Sequence, residues 1–149
     1  MFRSLGTLMV VSTTLFFSSV SIGSSSIEET VKKRIEMFKS SASNLKKLNK
    51  LIRLGNIKES DELVDFHINW SEEMFLLFPV GSEASTSNGS DASADIWLDT
   101  TGFKKRIRQY NLSSKKLKES LIKNEISVIK RNFEGLVESC KNCHRNFRN

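Results

Sequence analysis

The 149-residue chain has one proline, two cysteines, two histidines and one tyrosine. Each scarcity excludes something. With Pro79 the sole proline, almost the whole sequence is free to be helical. Two cysteines cannot supply the dense disulfide framework that staples small secreted domains. No segment shows the apolar–polar alternation of a half-buried strand. Charge of one sign never dominates a segment, because the 23 basic and 17 acidic residues are interspersed, for a formal net charge of +6. The basic side chains have few aromatics among them, which reads as solvated helix faces and argues against a nucleic-acid groove. Catalytic groups are scarce too. No nucleophile–base pair is apparent, and His67 flanks an apolar stripe, as a half-buried packing residue does more often than a catalyst.

Side-chain charge is missing altogether between Arg3 and Glu28. That interval contains Leu8-Met9-Val10-Val11 and Leu15-Phe16-Phe17, followed by small residues. Residues 1–26 therefore read as a secretory signal peptide cleaved near Gly23 or Ser26, leaving a mature chain from Ile27. The alternative is an uncleaved membrane anchor, since the uncharged stretch is long enough to span a bilayer. Serines and threonines at 12–14, 18, 19 and 21 dilute its hydrophobicity and favour cleavage. Loss of Arg3 would take the net charge to +5.

What remains is patterned for helix. Ile27, Val31, Phe38, Leu45 and Ile52, with Ile35, Leu48 and Leu51 beside them, predict a helix over 27–54. Gly55-Asn56 stops it. Ser60 or Asp61 can cap a second helix with the stripe Leu63, Phe66, Trp70, Met74 and Leu77, ended by Pro79. Residues 80–94 are rich in Ser, Gly, Ala, Asn and Asp and read as a mobile crossover loop. A third helix from Asp95 carries Ile96, Thr100, Phe103, Ile107, Tyr110, Ser114, Leu117 and Leu121 in steps of four and three. After a turn at Asn124-Glu125, Ile126, Ile129, Phe133, Leu136, Cys140, His144 and Phe147 share one side of a fourth. The fold class is all-α: an antiparallel four-helix bundle over residues 27–149.

Both cysteines fall in Cys140-Lys141-Asn142-Cys143-His144. C-x-x-C-H is the attachment pattern of c-type haem. Positions i and i+3 share a helix face, so each thiol can add to one haem vinyl group. His144 then offers an imidazole nitrogen to the iron as axial ligand. A thioredoxin-like dithiol would need a βαβ context that is missing. Zinc would need a distant fourth ligand, with His67 the one spare imidazole. The remaining alternative is a non-haem helical module with a C-x-x-C disulfide. Because Cys140 and His144 continue an apolar stripe, the porphyrin would be part of the core. Haem attachment outside the cytoplasm agrees with export, here to the periplasm.

The sequence resembles the class II c-type cytochromes, the cytochrome c′ family of four-helix-bundle monohaem proteins. The haem end, with Phe147-Arg148 after Cys140-Lys141-Asn142-Cys143-His144, matches that family's C-x-x-C-H-x-x-F/Y-R. Leu77-Phe78-Pro79-Val80-Gly81-Ser82 is similar to its L-F-P-x-G-S, Ile96-Trp97 to its I-W pair, and Val31-Lys32-Lys33-Arg34 with Asn44 to its first-helix pattern. The resemblance implies one covalent haem c held by Cys140 and Cys143, with His144 on the iron. It implies that Arg34 and Arg148 face the haem propionates. It also implies electron transfer with redox partner proteins, binding of small gases such as NO or CO, or both. A homodimer through the first two helices is the alternative to a monomer.

Family members differ at the sixth iron position. Low-spin members place a methionine four residues after the first-helix arginine, whereas cytochrome c′ has an apolar residue there. Four residues after Arg34 stands Phe38, and Met37 precedes it. Phe38 is seven residues from both Val31 and Leu45, central on the apolar stripe, and Met37 is rotated about 100° away. Phe38 is thus expected on the distal face, with a five-coordinate iron. The alternative is Met37 as sixth ligand of a low-spin electron carrier, which a one-residue helical bulge would allow. Met74 reads as core of the second helix and is a distant candidate ligand.

Overall fold

A computed structural model describes residues 23–149. The expected leader lies outside these residues up to Ile22. Helix α1 spans Gly23–Leu54 and is continuous through the expected cleavage region. α2 spans Asp61–Glu73, a single-turn α3 Asp95–Leu98, α4 Thr100–Lys123 and α5 Ile126–Phe147. The long helices α1, α2, α4 and α5 form the antiparallel bundle. α4 packs most extensively against α5 and α2, while α1 makes sparser contact with α5. No helix among the described residues is long and apolar enough to cross a membrane.

The helix ends have local causes. Gly55 adopts φ +77°, its N–H bonding Ile52 O, while Asn56 N–H reaches back to Leu51 O. Those paired bonds form a Schellman stop that satisfies carbonyls left open by α1. At the start of α2 the cap differs from expectation. Ser60 occupies the N-cap position, but its hydroxyl donates to Asn56 O at 3.1 Å and makes no capping bond. The far end of α2 tightens into a 3₁₀ turn over Met74–Leu77. The chain is leaving α geometry ahead of Pro79, which disfavours that conformation in the residue before it.

The expected third helix is two helices. Asp99 breaks it with φ −121° and ψ 61°, and its carboxylate accepts the Gly102 N–H at 2.9 Å as cap of α4. A Cβ at Gly102 would overlap that carboxylate. Asn124, at φ 54°, closes α4 in the left-handed conformation that asparagine tolerates.

The crossover expected to be mobile is fastened at several points. Ala84 N–H bonds Ala92 O, Ser93 N–H bonds Phe147 O, and Asn149 N–H bonds Asp91 O. Ala92 and Arg148 form an isolated antiparallel bridge. The loop is therefore sewn to the tail that follows α5. Asn88 adds a local tie, its carboxamide oxygen accepting from Ser85 and Ser90 N–H.

Candidate haem-binding cavity

A cavity of about 510 Å³ opens between α1 and α5. That is within the usual range for cofactor sites, about 300–1,000 Å³. α1 contributes Arg34 and Phe38, one turn apart. α5 contributes Cys140, Cys143 and His144, α2 supplies Trp70, the 3₁₀ turn after it Met74, and α4 Phe103 and Tyr110. The Phe38 ring lies 6.1 Å from the His144 ring, centroid to centroid, and meets Trp70 edge-on at 5.3 Å. Met37 packs partly buried against the core and is not among the residues lining the cavity. Met74 does line it and is 5% exposed.

The electrostatics suit a thiol pair and a neutral imidazole. Burial pushes both the Cys140 and Cys143 thiols up to about 11, so both stay protonated at neutral pH. Neither is in a disulfide. The His144 pKa is lowered, first by burial and then by the nearby Arg148 charge, which favours the form with a free lone pair.

Both arginines bond protein groups at the cavity. Arg34 is 2% exposed. Its Nη1 donates to Leu77 O and Ser82 Oγ, both at 2.9 Å. Its Nη2 donates to Ser82 O at 2.6 Å and Ser90 Oγ at 2.8 Å. Four of the five guanidinium N–H groups are thus engaged, three on the crossover and one on the 3₁₀ turn at Leu77, leaving Nε–H. The guanidinium also sits 4.4 Å over the Phe78 ring. Desolvation lowers its pKa to about 10, which leaves it charged. Arg148, at the cavity rim, donates through Nε and Nη2 to the Asp91 carboxylate at 3.1 and 2.7 Å. Both arginines thus tie the crossover to the cavity wall, Arg34 through Ser82 and Ser90 and Arg148 through the Asp91 carboxylate.

His67 also departs from the sequence reading. It is fully buried, not half-buried. Its Nδ1 lies 2.6 Å from the Tyr110 hydroxyl, and no cluster of metal-ligating side chains forms among the described residues. Burial lowers its pKa to about 4. Sequence reasoning missed this pair, and also missed Ser82 and Ser90 as partners of Arg34. Those contacts join residues 43, 48 and 56 positions apart, which no local spacing reveals. Arg106, on α4, was missed as a cavity residue. Its place one residue before the buried Ile107 was the available signal.

Two thiols and an imidazole facing one apolar-walled cavity fit a covalently held haem. These features define a four-helix bundle with a haem-attachment motif at the end of its last helix. A family model described as cytochrome C′ matches residues 29–148, and the chain belongs to the cytochrome c′ family. The family carries one covalently attached haem c. No curated protein matches the sequence.

Solved structures agree on the fold. Cytochrome c′ from Rubrivivax gelatinosus is 20% identical, over 83% of this chain and 97% of that one, with a TM-score of 0.72. A nitric oxide complex of a mutant cytochrome c prime from Alcaligenes xylosoxidans is 22% identical, over 82% and 95%, with a TM-score of 0.71. A cytochrome c′ with ligand-controlled dimer dissociation is 17% identical, over 82% and 95%, with a TM-score of 0.76.

Proposed function

We propose that this cytochrome is an exported, periplasmic monohaem protein that binds small gases such as NO or CO at an open iron face and exchanges electrons with redox partners. Cys140 and Cys143 would hold the haem covalently through their sulfurs, His144 would bind its iron, and Phe38 would line the haem pocket. The observation that carries this reading is that Phe38 and His144 line one cavity, with ring centroids 6.1 Å apart. When bound, haem supplies a one-electron iron couple and a metal site for diatomic ligands.

The chain's own residues do the rest. The cysteines tether and the neutral His144 donates a lone pair. Phe38, Trp70 and Met74 exclude water and disfavour anions. Phe38 has no proton to give or take, so peroxidase-type acid–base chemistry has no group at that position, and we read a carrier and gas binder, not an enzyme. Arg34 first holds the crossover against the cavity, with Nε–H left for a propionate, and Arg148 can exchange Asp91 for one.

Nitric oxide binding by the Alcaligenes xylosoxidans relative supports a gas ligand. The relative with ligand-controlled dimer dissociation supports a homodimer, whose interface we place on α1 and α2. Carbon monoxide titration of the ferrous protein tests the function. Saturable binding is expected, and a ferrous spectrum unmoved by CO would contradict it. Sedimentation with and without CO tests the dimer.

A further inference from the structure

We propose that Tyr110 and His67 form a proton-coupled one-electron donor in the cavity wall, which quenches oxidising radicals that arrive there. The inference goes beyond the haem reading and does not depend on it. Tyr110 is 4% exposed, lines the cavity and holds its hydroxyl 2.6 Å from His67 Nδ1. The two rings meet edge-on, centroids 5.9 Å apart. The other group near Nδ1 is the Ser41 hydroxyl, at 3.5 Å. We assign the phenol as donor to Nδ1; the remaining imidazole proton then sits on Nε2, a buried atom with no hydrogen-bond partner among the described residues.

A stranded buried donor is costly, because nothing replaces the water it gave up. If these residues served packing alone, two phenylalanines would fill the same space without that cost. The short phenol–imidazole bond is what the pair has and two apolar rings would lack.

The environment favours coupled loss of an electron and a proton. Burial raises the Tyr110 pKa, so the phenol does not ionise into its surroundings. Oxidation must therefore deliver the proton to a base within hydrogen-bond reach, and His67 is that base. A low pKa keeps His67 neutral, with its Nδ1 lone pair available, at neutral pH. A phenol that has lost an electron is a much stronger acid than an imidazolium, so the transfer runs downhill even to this weak base.

The step balances with a peroxyl radical as oxidant. The radical takes one electron from Tyr110 and becomes a hydroperoxide anion, which solvent protonates. The Tyr110 O–H bond breaks and an N–H bond forms at His67 Nδ1, leaving a phenoxyl radical beside an imidazolium. A one-electron reductant such as ascorbate returns the electron, and the proton moves back to oxygen.

Tyr110 is the chain's one tyrosine, so a tyrosyl signal has a single assignment. The ferric, haem-loaded protein would be oxidised with photogenerated tris(bipyridine)ruthenium(III), freeze-quenched and examined by EPR. The expected signal narrows on ring-deuteration of tyrosine and, in D₂O, shows a strongly coupled exchangeable deuteron from the His67 hydrogen bond. Tyr110→Phe should abolish it. His67→Gln keeps a hydrogen-bond acceptor but cannot take the proton, and should lower the radical yield at least about tenfold. A wild-type radical insensitive to tyrosine deuteration, no radical at all, or an unchanged yield in folded His67→Gln would overturn the proposal. If that variant does not fold, the wild-type deuteron coupling decides, and its absence refutes the pair.

Discussion

The two ends of this bundle are built on different chemistry. Where α1 and α4 finish, the core is aliphatic: Leu48, Ile52, Val64, Leu117, Leu121 and Ile129 are all buried. Buried hydroxyls there bond backbone carbonyls of their own turns, Ser60 to Asn56, Ser114 to Tyr110 and Ser120 to Leu117. The opposite end is aromatic and ionic. Phe38, Trp70, Phe78, Phe103 and Phe147 make edge contacts around the cavity, and Arg34, His67 and Tyr110 are buried with polar partners drawn from distant segments. One end is a self-sufficient core. The other bears long-range polar contacts around space for a ligand, the kind of local cost that accompanies function.

Removing the haem tether should break the comparison most severely. Cys140→Ala combined with Cys143→Ala should abolish haem staining on a denaturing gel. Because the porphyrin counts as core for the cavity end, the apo chain should lose helical circular dichroism and melt broadly. Native-like helicity with cooperative unfolding would show that the cavity end is also self-sufficient.

Leu117→Ala probes the aliphatic end. Leu117 is fully buried, and truncation should cost about 2–5 kcal/mol, read as a lower denaturant midpoint. The haem spectrum should not move. If it moves, the two ends are coupled.

A third effect belongs to pH. His67 titrates at about 4 in the folded chain, against an ordinary value of 6.5. The unfolded state therefore binds the extra proton between those values, and stability falls as pH drops from about 6.5 to about 4. The loss should reach at most about 3 kcal/mol. Denaturant midpoints across that window should show it, and His67→Gln should flatten this component of the slope.

The smallest change is expected on the surface. Lys118 pairs with Asp61 and Asp65, both at 2.7 Å. Lys118→Ala should cost less than about 1 kcal/mol and leave the spectrum untouched, since partly exposed pairs gain little in water.

The aliphatic end was the more legible of the two in the sequence, because period-3.6 spacing of Leu48, Ile52, Leu117 and Leu121 states which face is buried. The Cys140–His144 motif was legible because its chemistry is local. Asp99 was harder: a helix period continues through Ile96, Thr100 and Phe103 although the backbone breaks. Its capping bond to Gly102 was written in the residue types, but the apolar step outweighed it. Arg34 and His67 needed the fold itself, since their partners are brought in by the crossover and by α4.

We propose an iron face without a protein ligand opposite His144, with Phe38 and not Met37 beside it. The EPR spectrum of the ferric protein tests this most directly. A high-spin signal, unchanged in Met37→Leu, is the predicted result. A low-spin signal that Met37→Leu converts to high-spin would contradict it, assigning the sixth position to methionine and the protein to electron transfer.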